Sequence, residues 1–139
     1  MKRTKLLVAA MALPMAMTAM TASAAPVEID YWSVFTGGDG ATMQSMVDTF
    51  NESQDEVHVN HTPMTADDLY QKIPLAVQTG TEVPDVAVVH IERIPNFVEN
   101  EMLWSYDEDI LAEAGISAGD YIESAYNASN IDDEQYGIP

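Results

Sequence analysis

Pro84-Asp85-Val86-Ala87-Val88-Val89 constrains this chain more than any other stretch. Four apolar residues, three of them valine, follow one another with no polar residue at alternate positions. A strand with one wet face would alternate. An unbroken run fits a strand of a parallel sheet covered on both faces. Parallel neighbours in turn require long crossover connections, usually helices.

The remaining periodicities supply both kinds of element. Val27-Glu28-Ile29-Asp30-Tyr31-Trp32 alternates apolar and acidic residues and ends apolar, as a strand would. Met43, Met46, Val47 and Phe50 fall at i, i+3, i+4 and i+7, one face of a helix that polar residues from Asn51 to Glu56 close. Val57 to His61 reads as a second strand. Thr65 opens the next helix, Asp67 and Asp68 suit its positive end, Leu69, Ile73 and Val77 form its stripe, and Gly80 stops it. Pro74 inside that stripe predicts a kink or break. Pro95 starts a third helix with Ile94, Phe97, Val98 and Met102 inward. Ser117 and Asp120 begin another, with Tyr121, Ile122, Ala125 and Tyr126 as its buried edge. Asp132 to Gly137 reads as a polar turn into a short strand. The order is strand-helix three times over, an α/β layout on a parallel sheet.

The amino terminus reads as an address. Lys2, Arg3 and Lys5 precede an apolar run from Leu6 to Met20, and Ala22-Ser23-Ala24 gives a small-x-small cleavage pattern. The run is shorter than the roughly 20 residues that span a bilayer. We expect a secretory signal peptide, 1–24, cut after Ala24. Residues 25–139 then hold Lys72 and Arg93 against 23 acids, a net charge of −21. That balance excludes nucleic acid and anionic membrane as partners, because both select basic surfaces. With no cysteine, disulfides, thiolate metal sites and a lipid-bearing cysteine are all excluded. The expectation is a soluble periplasmic protein.

The glycine turn in Tyr31-Trp32-Ser33-Val34-Phe35-Thr36-Gly37-Gly38-Asp39-Gly40 invites a phosphate site, and the details refuse it. Met43 stands where a dinucleotide turn needs its third glycine, Asp39 would repel phosphate, and no Gly-Lys-Ser/Thr follows. The run from Asp132 has Tyr136 at the fifth position of a would-be calcium loop. His58 and His61, three apart on a strand, face opposite ways. No G-x-S-x-G or H-E-x-x-H occurs. No cofactor or metal is expected.

Ligands of open α/β sheets bind at the carboxyl ends of the strands. The first strand delivers Trp32, Ser33, Thr36, Gly37 and Gly38 there; the third delivers His90, Glu92 and Arg93. Such residues suit a polyol. An indole meets the C–H face of a sugar, a carboxylate accepts from neighbouring hydroxyls, and a guanidinium donates in a fixed fork. Equally open at this stage are Trp32 as core and Glu92–Arg93 as a surface pair of small value.

Four motifs in order, W-S-V-F-T-G-G, M-V-D-T-F-N-E-S, G-T-E-V-P-D-V-A-V-V-H and Y-G-I-P, resemble bacterial extracellular solute-binding proteins of ABC sugar importers, the maltose-binding-protein-like family. The resemblance runs over about residues 27–139. It implies a two-lobed Venus flytrap that closes on a carbohydrate without chemistry, docks on permease subunits as a monomer, and meets the membrane only through them. It places Glu92-Arg93 where the family grips sugar hydroxyls, Trp32 and the Ser33–Gly38 turn at the cleft, and Asn60 to Thr62 in a loop within reach of ligand. Because the family is roughly three times longer, residues 25–139 are expected to form a partial N-terminal lobe, without hinge or second lobe. The alternatives are a secreted carbohydrate-active hydrolase and a self-contained secreted binding module.

Overall fold

A computed structural model describes residues 25–139; the signal-peptide reading of residues 1–24 lies outside the described residues. Strands β1 (Val27–Ser33), β2 (Val57–Pro63) and β3 (Val86–Ala87) form one parallel sheet in the order β2-β1-β3. β1 pairs with β2 from Val27–Val57 to Ser33–Pro63, and with β3 through Tyr31–Val86 and Trp32–Ala87. The expected α/β class is what forms.

Helix α1 (Gly38–Ser53) crosses from β1 to β2. Of its apolar stripe only Val47 is buried; Met46 is 60% exposed and Phe50 45%. The helix is held instead at its polar end. Asn51 exchanges two hydrogen bonds with the Val59 backbone, at 2.9 and 3.0 Å, and Gln54 accepts from Val57 N at 2.8 Å and donates to Val57 O at 2.6 Å. Two side-chain amides thus cover the opening half of the outer edge of β2, at Val57 and Val59, where a bare edge would invite another strand.

Helix α2 (Ala66–Thr79) begins as its sequence dictates. The Thr65 hydroxyl accepts from Asp68 N at 3.2 Å, and Gly80 ends the helix in the left-handed conformation at φ 66°. Pro74 does not break it, contrary to expectation. Proline removes the bond to the Tyr70 carbonyl, but Leu69, Ile73 and Ala76 on either side are buried and hold the helix to the sheet.

The core lies on the α2 face: Trp32, Leu69, Ile73, Ala76 and Phe97, with Val34, Met64, Tyr70, Val77, Ala87, Val89, Met102 and Leu103 packed around them. Phe97 comes from α3 (Ile94–Glu99), which carries Pro95 in its first turn as expected. The opposite face is not closed. Ile29, Tyr31, Val59, Val86 and Val88 line a groove of about 600 Å³, bordered by Tyr136 to Pro139. Val86 is 47% exposed, so the apolar run is not covered on both faces.

After α3 come two short helices, α4 (Glu108–Glu113), capped by Asp107 and not anticipated, and α5 (Glu123–Asn127). The segment from Ser117 makes only a 3-10 turn, Ala118–Asp120, before α5, and Ile122 is 77% exposed instead of buried. Strands β4 (Asn130–Ile131) and β5 (Glu134–Gln135) form a hairpin around Asp132 and Asp133, both at positive φ. That is the turn whose twist matches two antiparallel strands. Among the described residues no helix is long and apolar enough to cross a membrane.

Candidate functional site

Because β1, β2 and β3 are parallel, their carboxyl ends share one rim. The segments leaving β1 and β3 carry the residues singled out from sequence, and they behave differently.

At the β1 exit, Asp39 Oδ1 accepts from Gly37 N at 3.0 Å and Gly40 N at 2.9 Å. A carboxylate at a helix start is favoured by the dipole there. Two amides of the glycine turn are therefore taken by the chain itself. Gly40 is required by close approach, since a Cβ would run into the Phe35 carbonyl oxygen, whereas Gly38 has open space around it. Thr36, Gly37 and Gly38 are exposed.

Ser33 is fully buried, its Oγ 2.7 Å from His61 Nε2. Gln44 donates to Asp48 through Nε2 at 2.8 Å, so its Oε1, 3.0 Å from His61 Nδ1, is an acceptor. Nδ1 then carries the proton and Nε2 accepts from Ser33. Burial holds His61 below its ordinary 6.5, favouring this neutral form, and its ring stacks on Tyr31 at 5.1 Å. The pair resembles a nucleophile and base, but a hydroxyl sealed from solvent meets no substrate. It ties β1, β2 and α1 together, and Ser33 is not a rim residue.

Trp32 also leaves the rim. It is 6% exposed, packed among Leu69, Ile73 and Phe97, with Lys72 Nζ 4.9 Å from its ring centroid. Alternation explains this: Tyr31 and Ser33 face α1, so Trp32 faces α2 and joins the core. Asn60 to Thr62 likewise lie within β2 and not in a loop, with Asn60 Nδ2 donating to Glu28 at 3.0 Å.

At the β3 exit, His90, Glu92 and Arg93 stand together and exposed on a 3-10 turn, Ile91–Arg93. Tyr70 of α2, which sequence reasoning missed, organises His90 and Arg93. Its hydroxyl accepts from His90 N at 2.9 Å and lies 2.6 Å from His90 Nδ1, and the Arg93 guanidinium sits 4.9 Å from its ring centroid. Tyr70 meets buried Phe97 edge-on at 6.0 Å. The available signal was an aromatic beside Leu69 in the opening turns of a helix that leaves the same rim. Both cations of residues 25–139 thus lie over aromatic rings, Lys72 on Trp32 and Arg93 on Tyr70. Donors from Arg93 and His90, the acceptor Glu92 and an aromatic support can meet a neutral, hydroxyl-rich molecule. Among the described residues no group of three His, Cys, Asp or Glu is placed to hold a metal ion.

A family model described as bacterial extracellular solute-binding protein matches residues 45–139. No curated protein matches the chain. Among solved structures, the galacto-N-biose/lacto-N-biose I-binding protein of an ABC transporter from Bifidobacterium longum, in complex with lacto-N-biose, superposes with TM-score 0.71 at 24% identity, over 86% of this chain and 29% of its own. An ABC substrate-binding protein from Listeria monocytogenes in complex with cycloalternan gives 0.69 at 22% identity, over 81% and 28%. The GacH receptor of Streptomyces glaucescens gives 0.69 at 16%, over 82% and 29%. The fold is shared, and the chain spans less than a third of each of these structures.

Proposed function

The chain belongs to the family of bacterial extracellular solute-binding proteins, and from that premise we propose that it serves an ABC importer by binding a carbohydrate reversibly, without chemistry. The observation that carries this reading is the exposed His90–Glu92–Arg93 turn on the carboxyl rim of a parallel sheet, braced by Tyr70. Hydroxyls both donate and accept, and the turn offers donors beside an acceptor. With 23 acids and two cations in residues 25–139, a neutral sugar is favoured over an anionic one.

In this reading Thr36, Gly37 and Gly38 contribute a wall through exposed edges, while Trp32 and Ser33 support from within. Residues 1–24 are an export signal cut after Ala24, and residues 25–139 are part of an N-terminal lobe. The exported protein works in the periplasm as a monomer and reaches the membrane through permease subunits. One lobe presents half a cleft, whereas a pocket encloses about 70–90% of its ligand; the rest of the enclosure comes from a second lobe.

The test is a thermal-shift series on the full-length protein with lacto-N-biose, mannotriose and acarbose. At least one sugar raises the melting temperature and is recovered with its mass unchanged. Glu92→Ala and Arg93→Ala each abolish that rise. A sugar-induced rise that survives both substitutions removes the turn from the site, and a hydrolysed sugar ends the transport reading.

A further inference from the structure

Tyr70 touches the candidate turn at two polar points and with its ring face. A backbone N–H can only donate, so the Tyr70 oxygen accepts from His90 N at 2.9 Å. The phenolic proton is then available for His90 Nδ1 at 2.6 Å. The opposite polarity would have Nδ1–H and the His90 amide both donating to one oxygen and would turn the phenolic proton away from the nearest acceptor. The first arrangement uses every group once. It puts the imidazole proton on Nε2, the ring nitrogen not engaged by Tyr70.

Both hydrogen bonds go to the same residue, so they fix the rotation of the His90 side chain as well as its tautomer. The Tyr70 ring itself is anchored, because its edge contact is with Phe97, which is 4% exposed. Over that anchored ring lies the Arg93 guanidinium. A planar cation resting on an aromatic face keeps its N–H fork in a narrower range than a free side chain would, at little cost in hydration.

We propose that Tyr70 is the positioning residue of this site: its hydroxyl holds His90 in the Nε2-protonated tautomer and its ring seats Arg93, so the rim presents two aimed donors flanking the Glu92 acceptor. The matching ligand feature is a pair of neighbouring hydroxyls on a neutral sugar, one oxygen accepting from the rim while the other hydroxyl donates to Glu92. This assignment rests on the carbohydrate reading for its ligand, but the hold on His90 does not.

The experiment takes the two apart. Long-range ¹H–¹⁵N correlation spectra of the full-length protein, without ligand, report which nitrogen of each histidine carries the proton. The expected result is His90 with a bare Nδ1 and a protonated Nε2. Tyr70→Phe keeps the ring under Arg93 and removes the hydroxyl. It gives a mixed His90 tautomer and weakens mannotriose binding about five- to tenfold, the loss of one aimed hydrogen bond. Tyr70→Leu also unseats Arg93 and weakens binding further. A wild-type His90 protonated on Nδ1 overturns the proposal, and that measurement needs no variant to fold. An unaltered tautomer in Tyr70→Phe overturns it as well. A locked tautomer in a protein that no sugar stabilises defeats the carbohydrate reading and leaves the hold of Tyr70 on His90 standing.

Discussion

The two turns that leave β1 and β3 occupy the same rim and make opposite uses of it. The first is rich in glycine and opens a sixteen-residue helix, yet Asp39 fills it, taking the Gly37 and Gly40 amides. The second has no glycine, and its His90, Glu92 and Arg93 remain exposed, His90 and Arg93 against a tyrosine that packs on core Phe97. Glycine content marks where backbone must approach closely, and close approach serves the fold as readily as a ligand. What distinguishes a binding turn is polar groups whose partners are not already supplied by the chain.

The largest effects expected from breaking this contrast are on stability, in the first turn. Gly40→Ala forces a Cβ into the Phe35 carbonyl, with no flexible side-chain end to yield. It should cost about 1–3 kcal/mol, the range for overpacking. Gly38→Ala, with open space around it, should stay within about 0.5 kcal/mol of wild type. Denaturant melts of the two variants check this pair, and equal losses would refute the close-approach explanation. Asp39→Ala comes next. It strips the acceptor from two amides and should destabilise by about 0.5–2 kcal/mol, as a lost helix cap does, while leaving the sugar-induced rise in melting temperature intact. Loss of that rise would mean that Asp39 serves the ligand, and the contrast between the turns would fall.

The two cations sharpen the comparison further. Lys72 and Arg93 each lie 4.9 Å from an aromatic centroid, one over a core tryptophan and one over Tyr70 at the rim. Removing either as alanine should lower ligand-free stability by about 0.5–1 kcal/mol, the exposed cation–π range. Only Arg93→Ala should also abolish the sugar response. Calorimetric titration with mannotriose beside a melt separates the two effects, and equal binding losses would show that Lys72 belongs to the site.

Much of the sheet could be read in advance because the signals were local and agreed with one another. The apolar run from Val86 and the alternation of Val27 to Trp32 specify strands, although β3 itself holds only Val86–Ala87, and Thr65 and Gly80 mark the ends of α2 by side-chain capping and left-handed φ. The errors came where tertiary context decides. Met46 and Phe50 have the spacing of a buried face, but α1 is fastened through Asn51 and Gln54 and leaves them out. Pro74 looked like a break, and the burial of Leu69, Ile73 and Ala76 outweighed one missing backbone bond. In the proposed site, Glu92 and Arg93 were legible as a charged couple just past an apolar strand, and they stand exposed at the β3 exit. Trp32 could have been assigned to the core by parity with Tyr31 once both sheet faces were expected to pack. The bonds from Tyr70 to His90 join residues twenty apart, so the sequence offered only an aromatic in the right turn of α2, whereas Asp39 fills the glycine turn through neighbours one and two residues away, a local signal that was there to be read.

The smallest expected effect concerns pH and the buried support of the first turn. His61 is held neutral because burial opposes its charged form. Its folded-state pKa therefore lies below the 6.5 of the ordinary side chain. Between those two values the unfolded chain binds more protons than the folded one, so stability rises with pH through that window. The His61 contribution is complete above about 6.5 and is lost as pH falls through the folded value. Glu134, held below its ordinary 4.5 by hydrogen bonds from Ser105 and Tyr136, acts in a separate and more acidic range. Melting temperatures taken at intervals from pH 5 to 7 should therefore climb in wild type, and His61→Gln should flatten the climb while lowering the whole curve. A slope that persists undiminished in His61→Gln would assign the titration elsewhere, and would leave the Ser33–His61–Gln44 chain as two hydrogen bonds with no bearing on acid stability.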